Sequence, residues 1–451
     1  MSTGDEEPQP WSIVSGWTGN CRSRSRLIRC SSIDDLRTII QQPGRWLPRG
    51  AGCSYGDAAI LEEGRLVHLD DEATDEQKQS ASGSVTVSAA VTLRTLLPAL
   101  ATRGLTLPVV PGVLDATIGG IVAADAHGKN HLTRGSIRDV TDSLRLMLPS
   151  GDLIDCDRSD GTDLFEATIG GMGLTGMITE ATLQVIPLLA QTVRVEQIAT
   201  SDLESSLNQL RLLSQHHEHV AAWLDPTPRG AAFGRGIVVA GSPYLEHQQS
   251  QMAHPRNWEL TPGSTLPPLV ASLLTPVGIS CHNTLRHLRA RFRRGTSTWK
   301  LDRLLFPLER WKNWKQIYKP AGFHQHQSLV PAAVCDVVIR QLLEMSVSGG
   351  CPPTLVVLKM MRGGSGWLSF PDEGMTLSMD FRCEEGTVDL LRQLDERVAQ
   401  EQGRVYLAKD STLTPELFRA MYPDLGRFQK LRQQFDPQQK LNSELSLRLK
   451  I

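Results

Sequence analysis

Three clusters of glycine, all before residue 177 of a 451-residue chain, constrain the fold more than any other feature of the sequence. The first holds Gly50, Gly52 and Gly56, the second Gly112, Gly119, Gly120 and Gly128, the third Gly170, Gly171, Gly173 and Gly176. Glycine lets a main chain turn tightly and approach a flat ligand where a Cβ would stand in the way. The first cluster lies within Arg49, Gly50, Ala51, Gly52, Cys53, Ser54, Tyr55, Gly56 and Asp57. The backbone N–H groups of such a turn can face inward as an anion-binding nest, and pyrophosphate is a common guest. Its spacing fits neither G-x-G-x-x-G before a helix nor G-x-x-x-x-G-K-[ST], so neither the Rossmann fingerprint nor the Walker loop applies. Taken alone, phosphate binding and a plain Gly-rich turn explain it equally.

The second cluster runs from Pro108 and ends in His127-Gly-Lys-Asn-His131, which sets His127, Lys129, Asn130 and His131 beside a run of small residues. The third runs into the strand-like segment Ile178–Ile186. Near the C-terminus, Val405-Tyr-Leu-Ala-Lys-Asp-Ser411 places Lys409 beside Asp410, by itself a common surface pair. Short, partly alternating runs at Val85–Val91, Leu144–Leu148 and Ile178–Ile186 predict strands. Helical spacing appears at Ser32–Gln42, Leu93–Arg103, Leu203–Leu213, Val388–Gln402, Leu413–Tyr422 and Leu425–Phe435. Strands interleaved with helices suggest an α+β or α/β fold. Residues 1–26 read as a loose N-terminal arm. Pro255, Pro262, Pro267, Pro268 and Pro276 mark residues 245–320 as the least regular stretch, a mobile loop region.

Composition excludes several classes. Apolar residues at 40% and charged residues at 21% allow a large core and rule out wholesale disorder. Lys+Arg (47) nearly balances Asp+Glu (49), which argues against a general nucleic-acid binder. Eight scattered cysteines with no C-x-x-C pair suggest neither a disulfide framework nor a metal site. No signal peptide and no apolar run of spanning length are visible, so a soluble cytoplasmic protein is expected.

The strings Arg49–Asp57, Pro111–Gly120, His127–His131, Gly170–Ile178 and Tyr406–Ser411, in this order, resemble the FAD-linked oxidoreductases of the vanillyl-alcohol oxidase / p-cresol methylhydroxylase superfamily. Within it they are most similar to the branch that oxidises decaprenylphosphoryl-ribose. The resemblance spans Leu27 to Leu447. It implies an α+β fold: a two-subdomain PCMH-type FAD-binding domain at 27–190, a segment 403–451 returning to it, and an α+β cap at 191–402 forming the substrate site. It implies that Arg49–Asp57 wrap the pyrophosphate of FAD and that Gly112, Thr117, Ile118, Gly119 and Gly120 line the other side. Ala124, His127, Ile178 and Tyr406 would approach the flavin. Lys409, His127 and Gln327 become the catalytic candidates; Lys129, Lys359, Tyr55 and Gln325 become the substrate-binding ones. Asp380 reads as structural.

The chain departs from the pattern in ways that matter. Many superfamily members carry, at the position of Cys53, a histidine bonded to the flavin; cysteine there implies non-covalent FAD. Ser378 stands where the decaprenylphosphoryl-ribose branch has a cysteine. The resemblance implies oxidation of a sugar secondary alcohol, foremost the C2 hydroxyl of a polyprenylphosphoryl pentose, with hydride passing to flavin N5. A separate short-chain NAD(P)H reductase would complete an epimerisation. The alternatives are an aldonolactone or alditol oxidase acting on a soluble sugar, and a non-catalytic flavin-binding partner protein. Finally, Cys281–Arg303 carries seven basic residues against Asp302 alone and follows the apolar Leu266–Ile279. A peripheral contact with the inner face of a membrane through 266–303 and a merely solvated basic face explain this equally.

Overall fold

The computed structural model describes residues 10–71, 78–79, 83–159, 163–243, 258, 260–293, 295–350 and 352–451. The N-terminal half builds two sheets. The first is mixed, with strands β1 (Trp11–Ser15), β2 (Arg22–Cys30), β3 (Trp46–Pro48) and β4 (Arg65–Leu69) in the order β1-β2-β4-β3. The expected loose arm is therefore corrected from residue 11 on: it supplies β1 and most of β2, antiparallel to each other. Residues 1–9 of that arm lie outside the described residues. The reason is an alternation of polar residues. In Arg22-Ser-Arg-Ser-Arg26 the serines point inward and pair with each other at 2.8 Å, and Ser25 also donates to the carbonyl of Leu61. Buried serines satisfied in this way pack as a strand face.

The second sheet takes β5 (Lys78–Gln79) and β6 (Ser84–Ser88). After the two-residue β7 (Leu105–Thr106) it continues with β8 (Thr141–Met147), β9 (Leu153–Asp157) and β10 (Met177–Gln184). Its order is β5-β6-β10-β8-β9, and β7 pairs separately with β11 (Ile186–Pro187). The first glycine cluster follows β3, the second lies between β7 and β8, and the third leads into β10.

Residues from 192 onward form one eight-stranded antiparallel sheet. Its strands are β12 (Thr192–Thr200), β13 (His219–Asp225), β14 (Arg235–Pro243), β15 (Thr296–Lys300), β16 (Phe323–Pro331), β17 (Leu355–Met361), β18 (Gly374–Arg382) and β19 (Arg404–Val405). The order is β15-β12-β14-β13-β17-β18-β16-β19. Helices Leu203–Ser214, Cys335–Ser348 and Thr387–Gln400 pack on this sheet. The opposite face of its central strands looks toward the glycine loops. The stretch 245–320 is more regular than its prolines suggest. Pro276 is the first residue of a helix, Pro276–Phe292, capped by Thr275, a position where proline costs nothing. Residues 245–257, 259 and 294 of that stretch lie outside the described residues.

The last residues return to the N-terminal half. Trp46 and Leu441 form a parallel bridge, and the Asn442 N–H donates to Trp46 at 3.0 Å. Arg448 pairs with Asp57 at 2.7 Å and with Asp410 at 2.8 Å.

Candidate cofactor and substrate site

A cavity of about 340 Å³ runs from the Arg49–Tyr55 loop, past Gly112, Thr117 and Gly120, to the face of β16, β17 and β18. At one end the loop after β3 forms the expected nest. Gly52 is left-handed, with φ +65°, and no described residue accepts from the backbone N–H groups of Gly50, Ala51, Gly52, Cys53 or Ser54. Five free donors around one hollow suit a diphosphate. The glycines let the walls close up: a Cβ on Gly50 would lie 2.1 Å from Thr117 Oγ1. Arg49 braces the loop instead of reaching into it, donating to the carbonyls of Ala59 and, at 3.0 Å, of Ser15. Gly56 packs so tightly that its Cβ would meet the Asp410 carbonyl oxygen at 1.6 Å. Gly56→Ala must therefore push the loop off the C-terminal segment. We expect a loss of at least about 1–3 kcal/mol of stability and weaker FAD retention, read from the thermal midpoint and the flavin spectrum.

The other end is built by strand register. Gln325, Asp380 and Leu355 form one cross-strand row, Gln327, Ser378 and Val357 the next, and Thr376 and Lys359 the third. Because side chains alternate, all of these share one face. His324 and His326 fall on the other, where His326 meets Asp395 at 3.1 Å. Gln327 Nε2 sits 3.0 Å from His127 Nε2 and 3.1 Å from Thr376 Oγ1. With Gln327 as the donor, His127 Nε2 accepts and Nδ1 carries the proton; no described residue pairs with that Nδ1. Burial, with the charges of Lys359, His131 and Lys409 adding to it, holds the His127 pKa well below its usual value, so the ring is neutral. It stacks on Phe370 at 5.6 Å and tilts against Tyr406 at 5.4 Å. The Tyr406 hydroxyl donates to Ala124 at 2.8 Å, which ties the C-terminal segment to the second glycine cluster.

Three lysines converge here. Burial lowers Lys129 to about 7, Lys359 to about 8 and Lys409 to about 7. Lys129 donates to the carbonyls of Leu304 and, at 2.9 Å, of Leu305. Lys409 Nζ lies 3.0 Å from the centroid of the Tyr55 ring, a cation–π contact. Asp380, one strand away, is buried, accepts from Gln325 at 2.5 Å, and is raised by burial to about 6.

Of the residues singled out from sequence, the structure brings nearly all to this cavity: Lys409, His127, Gln327, Lys129, Lys359, Tyr55, Gln325, and most of the nest and its facing loop. Three do not line it. Ile118 is fully buried in the core, with its N–H given to Val91. Asp57 points away, into the pairing with Arg448. Gly56 is spent on close packing. Sequence reading missed Trp17, Glu309, Trp314 and the carbonyl pair at Leu304 and Leu305, which reach the site only through tertiary packing.

The chain is 30% identical to decaprenylphosphoryl-beta-D-ribose oxidase of Mycolicibacterium smegmatis over 418 residues, 90% of this chain and 89% of that one. It belongs to the FAD-linked oxidoreductases of the vanillyl-alcohol oxidase / p-cresol methylhydroxylase superfamily. Residues 25–157 of this FAD-linked oxidoreductase match the family model for an FAD binding domain, and residues 374–449 match that of D-arabinono-1,4-lactone oxidase. It is also 27% identical to a putative D-arabinono-1,4-lactone oxidase of Neurospora crassa, over 49% of this chain and 40% of that one. Identity to L-gulonolactone oxidase of Mus musculus is 29%, over 35% and 36% of the two chains. The oxidoreductase uses FAD and acts on CH–OH groups. The free nest donors and the glycines that let the walls approach are what FAD needs from this chain.

Proposed function

We propose that this enzyme oxidises the C2 hydroxyl of a pentose carried on a polyprenyl phosphate. The observation that carries the reading is the charge of the cavity. Lys129, Lys359 and Lys409 face it, while among the described residues its wall holds one carboxylate, Glu309, already engaged by Arg94 at 3.1 Å; the buried Asp380 beside it accepts from Gln325 and offsets one lysine, which leaves the wall net basic. A neutral lactone has no use for such a wall; a phosphodiester does. Full-length similarity to a decaprenylphosphoryl-ribose oxidase supports the same substrate class. FAD held by the Gly50–Ser54 nest would supply the oxidation as acceptor of hydride from the carbon that bears the hydroxyl. The chain's own residues do the rest. Lys129 and Lys359 hold the phosphate. Neutral His127 offers Nδ1–H to a sugar oxygen. Lys409, with its pKa near neutrality, takes the hydroxyl proton as general base. A short-chain NAD(P)H reductase then returns the keto sugar to the alcohol of opposite configuration.

The test is the visible spectrum of the enzyme, followed anaerobically. Adding a polyprenylphosphoryl ribose should bleach the flavin band. If the band stays oxidised with that lipid but bleaches with an aldonolactone, the second reading takes over, which the match of residues 374–449 favours.

Two further outcomes follow from charge. The lysines are protonated below about 7 to 8, so substrate KM should rise as pH climbs through that window. Stability of the substrate-free enzyme, by contrast, increases with pH. Unfolded lysine titrates at 10.5, so between about 7 and 10.5 the unfolded chain binds more protons, and the lysines' burial penalty fades as pH rises. Cys53, raised by burial to about 12, stays a neutral thiol and no nucleophile. Acid precipitation should therefore release all of the flavin into the supernatant.

A further inference from the structure

Helix Pro276–Phe292 is inside out. Beside the buried Ile279, the face packed on the protein carries polar side chains: Asn283 donates to Asp225 at 3.0 Å, and His287 Nε2 meets the Thr200 carbonyl at 2.8 Å. Thr284 accepts from Arg235 at 2.7 Å. The face turned to solvent carries Val277, Cys281, Leu285, Leu288 and Phe292. Their spacing of four, four, three and four residues places them in one stripe, within an arc of roughly 80°. Val277 is 73% exposed and Phe292 85%. The turn before the helix extends the stripe with Leu269, 72% exposed, and Leu273, 56% exposed. Scattered exposed leucines need no explanation; a continuous stripe of this kind does.

The surroundings specify the partner. Arg289 flanks one side of the stripe and Arg291 the other, with Arg293 at its end, while Arg286 lies back on the protein over the Trp223 ring at 4.2 Å. Among the described residues no carboxylate pairs with Arg289, Arg291 or Arg293. An apolar stripe edged by unpaired arginines is complementary to an anionic lipid surface, with the side chains entering the acyl boundary and the guanidinium groups meeting phosphates. Among the described residues no helix is long and apolar enough to cross a membrane, so the contact is parallel to the surface.

The stripe is also joined to the cavity. Leu274, at its start, packs in the small core of Tyr55, Tyr318 and Phe323, with Trp314 against it. Tyr55 and Trp314 line the cavity. We propose that helix Pro276–Phe292 and the turn before it dock this enzyme on an anionic membrane, with the cavity opening beside the docked face. The inference stands on the surface itself and does not depend on which sugar is oxidised.

Flotation of the FAD-loaded enzyme with vesicles of phosphatidylcholine, with and without phosphatidylglycerol, tests it. Binding should require phosphatidylglycerol and weaken as salt is raised. Leu285→Ser with Phe292→Ser should lower binding at least about ten-fold. Arg289→Gln and Arg291→Gln should each lower it about five-fold. All of these variants should keep their flavin spectrum, since none touches the cavity. Equal binding to neutral vesicles, or binding that survives the loss of Leu285 and Phe292, would overturn the proposal. So would a dimer that Phe292→Ser dissociates while vesicles capture nothing, which would make the stripe an interface between two copies.

Discussion

Lys409→Ala is expected to lose turnover by roughly 10²–10⁴-fold while FAD remains bound. The expectation rests on position and on proton affinity together. Lys409 lies in the segment that follows β19, where its own N–H donates to the Tyr406 carbonyl at 2.8 Å. Its neighbour Asp410 is clamped by Arg448. The ammonium group is thus carried on a rigid support, over the Tyr55 ring and toward the face of β16 to β18. Burial lowers its pKa to about 7, while Asp380 and Cys53 oppose the drop. A group that titrates near the working pH can both take and return a proton, which a lysine in water cannot. Lys409 meets the nest segment only through the Tyr55 ring and touches none of its free N–H donors, so the flavin spectrum should survive the substitution. The informative measurement is rapid anaerobic mixing: the rate of flavin reduction should fall while substrate affinity changes little. Reduction at the wild-type rate would remove Lys409 from the chemistry. Lys409→Arg, which keeps the charge but holds its proton, should be nearly as slow as the alanine variant.

Arg448→Met should cost roughly 3–5 kcal/mol and lower the affinity for FAD with it. Among the described residues Arg448 alone joins two buried carboxylates, reaching Asp57 at 2.7 and 2.9 Å and Asp410 at 2.8 Å. It also donates to the Leu413 carbonyl at 2.6 Å. Removing it leaves two desolvated carboxylates that repel each other. Burial already raises the pKa of Asp57, which Arg448 pulls back. Asp57 closes the nest loop and Asp410 follows Lys409, so one guanidinium sets the distance between pyrophosphate site and proposed base. The exposed pair Arg29 with Asp70 gives the contrast: its arginine is 72% exposed, and its loss should change stability by less than about 1 kcal/mol. Chemical denaturation of the two variants side by side measures the difference. Equal small losses would mean that the buried network is not what holds the C-terminal segment in place.

Much of this was legible in sequence where the information is local. Helix Leu425–Phe435 has the predicted bounds, and Ser32–Gln42 differs from the observed Ile33–Gln41 only by its capping residues. The nest was readable because glycine at close approaches has a direct backbone cause. What failed were segments whose polarity was taken at face value. Strand β2 buries serines, so its sequence looks like a solvated arm. Helix Pro276–Phe292 begins with a proline, exposes an apolar stripe and buries Asn283 and His287 beside Ile279, so neither pattern nor punctuation reads as helix. The convergence of Lys129, Lys359 and Lys409 is of another kind. It depends on the register between β17 and β18 and on the return of the chain after residue 403, which no local pattern encodes. Asp380, which was read as structural, does orient Gln325, but it also tunes the field at Lys409.

The Arg448 clamp has a consequence for biosynthesis. A nascent chain presents Asp57 to the cell long before its partner has been translated, and β3 waits equally for Leu441 and Asn442. Until those last residues emerge, the nest loop has nothing to hold it against the segment bearing Lys409, and one buried carboxylate has no counter-charge. The nest loop and β3 are thus unfinished until that segment has been made. Cofactor loading becomes an event that follows translation of residues 441–448, and the glycine loops stay open until then.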